Sequence, residues 1–224
     1  MAINKIQKIV VLIVFFLSIK CLSQEFDTSG YIQLDYNEYQ ELIKSGASSN
    51  LNGNFSIIRR GKEGKVINLE IKHYKDGKKT GEWISYHNLF VGLRLSFVAN
   101  YKDDKLHGYY FRTDNHTFSE KGFYKNDKKH GEWEISKDGE LKEYTYKNDV
   151  KHGFFKVTNE IDEVSEGYYK KGKKDGKYKE VFETITKIGQ YKNDMKSGIW
   201  TIEDTITGET TKEVYKDGKL ISSN

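Results

Sequence analysis

The sequence predicts an all-β fold, an elongated single-layer antiparallel sheet of tandem β-hairpins behind a small N-terminal cap. Three observations carry that prediction. A motif of about 23 residues recurs seven times, and such a period fixes the architecture before any local propensity does. Proline is absent from all 224 residues while 20 glycines are present, so no strand loses a ladder donor and many turns can be made. Hydrophobic residues reach 36% and charged ones 31%, too little apolar mass for a thick core. Aromatics compensate at 14%, because each Tyr, Phe or Trp buries a large area, and Tyr and Trp keep a polar end at the rim.

Residues 1–23 read as a secretory signal. Lys5 and Lys8 precede an apolar run from Ile9 to Ile19, and small residues at Cys21 and Ser23 suit cleavage near Ser23. The run falls short of the ~20 residues a spanning helix needs, which disfavours the alternative of a retained membrane anchor. Cleavage there removes Lys5, Lys8, Lys20 and the single cysteine, leaving 34 basic against 33 acidic residues. A net charge of +1 predicts no general attraction to nucleic acid. A chain without cysteine relies on packing and ladders rather than disulfides.

Residues 24–65 lack the motif and read as an N-terminal cap with a short helix and a strand. Asp35 or Asn37 can cap a helix through Tyr39, Leu42 and Ile43 that stops at Gly46, and Phe55 to Arg60 reads as a strand. Such a cap covers the apolar edge of a terminal repeat.

The repeat array is expected over residues 66–224. A tyrosine followed by lysine stands at Tyr74, Tyr101, Tyr124, Tyr146, Tyr169, Tyr191 and Tyr215, each starting a turn such as Asp76-Gly77 or Asn126-Asp127. Asn or Asp followed by Gly tolerates positive φ in a two-residue hairpin loop, and Asp in the second place reads as a strained substitute for Gly. Seven residues beyond the tyrosine comes a glycine, at Gly81, Gly108, Gly131, Gly153, Gly176 and Gly198. Two further on stands an aromatic, at Trp83, Tyr110, Trp133, Phe155, Tyr178 and Trp200. The glycine relieves crowding where the next strand begins, and the aromatic anchors that strand to the apolar face. Alternation as in Trp133 and Ile135, or Trp200 and Ile202, predicts one wet face. A second turn, clearest at Asp138-Gly139 and Thr207-Gly208, makes each repeat one hairpin. The seventh copy lacks its glycine and aromatic and reads as an incomplete end. Fourteen strands at ~4.8 Å predict a length of about 65 Å.

The run Tyr-Lys-Asn-Asp-Lys-Lys-His-Gly-Glu-Trp from Tyr124 resembles the MORN repeat, in the bacterial form found in YwqK-type antitoxin-like proteins. The resemblance covers roughly residues 66 to 220 and implies stacked hairpins in a twisted antiparallel sheet. It also implies an antitoxin or immunity role as one functional alternative.

Two constellations invite chemistry. His107, His130 and His152 share one repeat position, but equivalent residues two strands apart stand about 9.6 Å from one another, too far to share one zinc ion with its ligands at ~2 Å. Thr80, Asp175 and Ser197 occupy the same place elsewhere, so a hydrogen-bonding turn residue is expected there. Lysines follow the tyrosines at Lys75, Lys102, Lys125, Lys147, Lys170, Lys192 and Lys216, with a partial second column at Lys79, Lys129, Lys151, Lys174 and Lys196. Such a basic stripe could track an anionic glycan or lipid headgroups, or simply deter aggregation of sheet edges. No catalytic motif, metal site or cofactor site is recognisable, and residues outside the array are too few for a typical enzyme domain. The expectation is a non-enzymatic protein of the periplasm or exterior that acts as a protein-binding scaffold. Binding of an anionic glycan or lipid through the lysines is the alternative.

Overall fold

In the computed structural model, the described residues are 30–46, 51–89 and 92–224. The expected signal at residues 1–23 and the first six residues of the cap lie outside them. Sixteen strands follow one another in sequence order in one sheet. The chain divides into two compact units, one ending at His107 and the other beginning at Gly108.

The first unit opens with β1 (Ile32–Asp35), α1 (Tyr36–Lys44) and β2 (Gly53–Arg60). Asp35 caps the helix, accepting the Asn37 N–H at 2.8 Å, while the Glu38 carboxylate accepts the Asp35 N–H at 2.9 Å. This reciprocal box fixes where the chain leaves β1. The cap differs from expectation in holding two strands, and β1 pairs with β2 in parallel. The turn from β1 into α1 and back makes that parallel crossover possible.

Next come β3 (Val66–Lys75), β4 (Lys78–Leu89) and β5 (Gly92–Lys102), all antiparallel. On one face Tyr39, Leu51, Phe55, Ile57, Tyr74 and Trp83 form a core with Leu42 and Ile43 of α1. On the other face Leu69, Ile71 and Tyr86 pack with Ile58, Ile84 and Leu95. Both faces of this unit are therefore apolar, unlike the single wet face expected of the later strands. Adjacent Ile57 and Ile58 point to opposite sides of β2, so both sides acquire apolar cover.

The remaining strands are β6 (Lys105–Thr113), β7 (Phe118–Lys125), β8 (Lys128–Lys137), β9 (Glu140–Lys147), β10 (Val150–Thr158) and β11 (Val164–Lys170). After them come β12 (Lys173–Phe182), β13 (Ile185–Lys192), β14 (Met195–Asp204), β15 (Thr210–Lys216) and β16 (Lys219–Ser223). Fourteen strands thus run from Val66 onward, in seven hairpins whose loops are the Tyr-Lys turns. Both central residues of each loop have positive φ, as in Asp76 (50°) with Gly77 (73°) and Asn126 (51°) with Asp127 (65°). That is the type I′ geometry that matches strand twist.

Aspartate at the second turn position has a compensation that spacing alone does not reveal. The carboxylates of Asp104, Asp149 and Asp194 accept the backbone N–H of Lys79, Lys129 and Lys174 in the preceding hairpin, at 2.8, 2.7 and 2.6 Å. Their own N–H groups return bonds to the carbonyls of the same lysines. At Gly172 and Gly218 only the backbone bond is present, to Lys151 and Lys196. Aspartate is therefore a staple between successive turns, and its side-chain bond offsets the left-handed φ.

Candidate functional site

The landmarks fall into files. Gly81 pairs with Tyr101, Gly108 with Tyr124, Gly131 with Tyr146, Gly153 with Tyr169, Gly176 with Tyr191 and Gly198 with Tyr215. Gly53 pairs with Tyr74 in the same way, and Phe55 two residues on is buried against that tyrosine at 5.8 Å. β2 is thus half a repeat. Its signal was the glycine and aromatic two apart, unaccompanied by a Tyr-Lys turn.

The Gly-x-Trp triplets at Gly81, Gly131 and Gly198 form bulges, and at Gly153 and Gly176 the bulge falls one residue earlier, on 152–154 and 175–177. Residues 131–133 stand opposite Gly122 alone, and residues 198–200 opposite Gly189 alone. The bulge leaves a carbonyl that the indole satisfies: Trp83 donates to His73 O at 3.1 Å, Trp133 to Phe123 O at 3.0 Å and Trp200 to Gln190 O at 3.2 Å. The indoles of Trp133 and Trp200 lie directly over the opposing glycines. A Cβ at Gly122 would stand 2.4 Å from Trp133, and one at Gly189 2.2 Å from Trp200.

Trp133 and Trp200 are only 2% and 1% exposed although no second layer lies over them among the described residues. Their cover comes from the ladder itself. Tyr124 and Tyr146 flank Trp133 at 5.0 and 6.4 Å between ring centres, and Tyr191 and Tyr215 flank Trp200 at 5.2 and 6.3 Å. The second lysine column completes it. Lys129 lies 3.8 Å from the Trp133 ring centre, Lys196 4.5 Å from Trp200, Lys79 4.9 Å from Trp83, Lys174 4.7 Å from Tyr178 and Lys151 3.4 Å from Tyr144. These lysines are not part of an outward basic stripe. Their stems roof the rings while the ammonium groups sit over the π faces and reach water. Burial raises the pKa of Tyr124 to about 12 and also raises those of Tyr146, Tyr169, Tyr178 and Tyr191.

The first lysine column behaves differently. Lys75, Lys102, Lys125, Lys147, Lys170, Lys192 and Lys216 are all exposed at hairpin tips. Several of them face another lysine directly across the turn, as Lys75 with Lys78, Lys125 with Lys128, Lys170 with Lys173 and Lys216 with Lys219. The opposite turns of the second unit carry Asp114, Asp138, Glu160, Asp162, Glu163, Asp204 and Glu209. The two edges of this unit are oppositely charged.

Of the three histidines, His152 serves a turn, whereas the Nδ1 of His130 is buried without a hydrogen-bond partner. His152 Nδ1 lies 3.4 Å from the Lys171 N–H, as Asp175 accepts from Asn193 N–H at 3.3 Å and Asn52 from Asp76 N–H at 2.7 Å. Among the described residues no group of three His, Cys, Asp or Glu is placed to hold a metal ion.

The face opposite the ladder in the second unit carries apolar pairs at every second repeat, each with at least one exposed member. Tyr109 pairs with Phe123, Phe154 with Tyr168 and Ile199 with Val214. Phe123 is 46% exposed, Phe154 42%, Tyr168 48% and Ile199 62%. Between them stand polar pairs, Glu132 with Thr145 and Lys177 with Gln190. A search against models of protein families finds no match to this chain, and a search of curated proteins finds none either.

Proposed function

We propose that this chain is a non-catalytic, protein-binding scaffold of the cell envelope or exterior, and that it binds through the face opposite the aromatic ladder. One observation carries the reading: the three apolar pairs on residues 109–214, each with at least one exposed member. The landmark aromatics are consumed in holding hairpins together, so they leave no anchors on their own face. Exposed Phe and Tyr side chains grouped in pairs and rimmed by charge are the composition of an interface centre. A photocrosslinking amino acid in place of Tyr168 is expected to trap a protein in the native envelope, and the same residue in place of Lys75 is not. Adducts confined to the hairpin tips, or no adduct at Tyr168, would overturn the reading.

Binding of an anionic glycan or lipid headgroup along the tips is the second reading. The facing lysine pairs support it, because like charges placed directly opposite one another destabilise a hairpin unless something else compensates. Retention on an anionic resin should then fall steeply with salt and weaken as Lys125, Lys170 and Lys216 are neutralised.

A further inference from the structure

We infer that the occupant of the face opposite the ladder is the same face of a second copy of this chain, related by a two-fold axis parallel to the strands at Phe154 and Tyr168. The inference rests on the reading of that face as a protein-binding surface and names its partner. Along β6 to β15 the outward pairs run apolar, Glu132 with Thr145, apolar, Lys177 with Gln190, apolar. The spacing is regular, since Tyr109, Phe154 and Ile199 are 45 residues apart, which is two repeats or four strands. At ~4.8 Å per strand that is about 19 Å on either side of the centre.

Reversing this order about Phe154 and Tyr168 lays each apolar pair on an apolar pair. It also lays the Glu132–Thr145 pair of one copy on the Lys177–Gln190 pair of the other, twice, with Glu132 one strand, about 4.8 Å, to the side of the opposing Lys177 and within reach of its long side chain. Both residues are exposed and neither has an ion pair within its own chain among the described residues. The neighbouring row repeats the relation. Glu134 pairs with Glu143, an acidic pair, and its mirror position is Lys179 with Ile188. Self-complementarity of this kind is what an isologous two-fold interface requires, and facing sheets pack about 10 Å apart with their inner side chains interdigitated. Strand twist makes the two sheets diverge away from the axis, so Phe154 and Tyr168 form the tightest contact.

Sedimentation velocity on the purified full-length chain at tens of micromolar is expected to give twice the mass of one chain. Phe154→Glu with Ile199→Glu is expected to reduce it to a single chain, with the fluorescence of buried Trp133 and Trp200 unchanged. Glu132→Lys alone and Lys177→Glu alone should each weaken the dimer about tenfold or more, because each brings like charges within one strand spacing of one another across the interface. Together they should restore it, since residue 132 of one copy again has the opposite charge one strand away at residue 177 of the other. About 19 Å separates these two residues within one chain, so restoration cannot arise inside it. A single-chain mass throughout, or a double variant no better than either parent, overturns the inference. A monomer whose adduct at Tyr168 contains a foreign protein overturns the second copy alone, whereas a monomer without an adduct removes the binding reading as well.

Discussion

The two units use the same repeat but bury it by different means. In the first, α1 lies over Phe55, Tyr74 and Trp83, and a separate cluster of Leu69, Ile71 and Tyr86 fills the opposite side. In the second, one face is a ladder of rings covered by its own lysines, and the opposite face presents Phe154, Tyr168 and Ile199 to solvent. The difference teaches that a single sheet can bury tryptophan without a second layer, provided long cationic side chains recur at the right place on the same face.

The sharpest way to break that comparison is to empty the ladder. Trp200→Ala should destabilise the second unit by about 3–5 kcal/mol in urea unfolding, since only side chains of its own face surround it. Trp83→Ala should cost less, because α1 can settle toward the gap; equal losses would undo the distinction. Gly122→Ala comes next, at about 2–3 kcal/mol, because the new methyl meets the Trp133 indole. In the first unit, Tyr39→Phe removes the partner of the buried Tyr74 hydroxyl, 2.7 Å away, and should cost about 1–2 kcal/mol while leaving the second unit's transition unmoved. Lys129→Met keeps the covering stem and removes the charge. The ammonium also pairs with Glu120 at 3.4 Å, so a loss of about 0.5–1 kcal/mol would measure its contacts with the indole and Glu120 together, and no loss would assign the roof to the stem.

The smallest effect near neutrality is the pH response. Tyr124 titrates higher folded than unfolded, so its contribution is intact below pH 10.0 and is lost as pH rises toward about 12. With four more raised tyrosines in the second unit, urea midpoints there should fall in step with phenolate absorbance at alkaline pH.

Much of the fold was legible because turns and glycines are punctuation. Tyr-Lys, followed by Asn or Asp in six copies and by Lys171-Gly172 in the fifth, located all seven hairpin loops, and Asp35 with Gly46 bracketed the helix. The site was less legible. Lys129 stands four residues before Trp133, an even separation that puts both on one face of a strand, yet its nearness to Lys125 and Lys128 suggested one common basic stripe. The apolar pairs escaped because aligning single repeats averages Glu132 with Phe154 and Lys177 with Ile199. Their alternation has a period of two repeats. Half a repeat at Gly53 and Phe55 was hidden for a simpler reason: no Tyr-Lys turn precedes it.

The aspartate staples have a mechanical consequence. Each one grips only the hairpin immediately before it, as Asp149 grips Lys129 and Asp194 grips Lys174. A module can therefore be duplicated or excised with every surviving grip still satisfied. Pulled from its C-terminal end, such an array should yield tooth by tooth, like a zip.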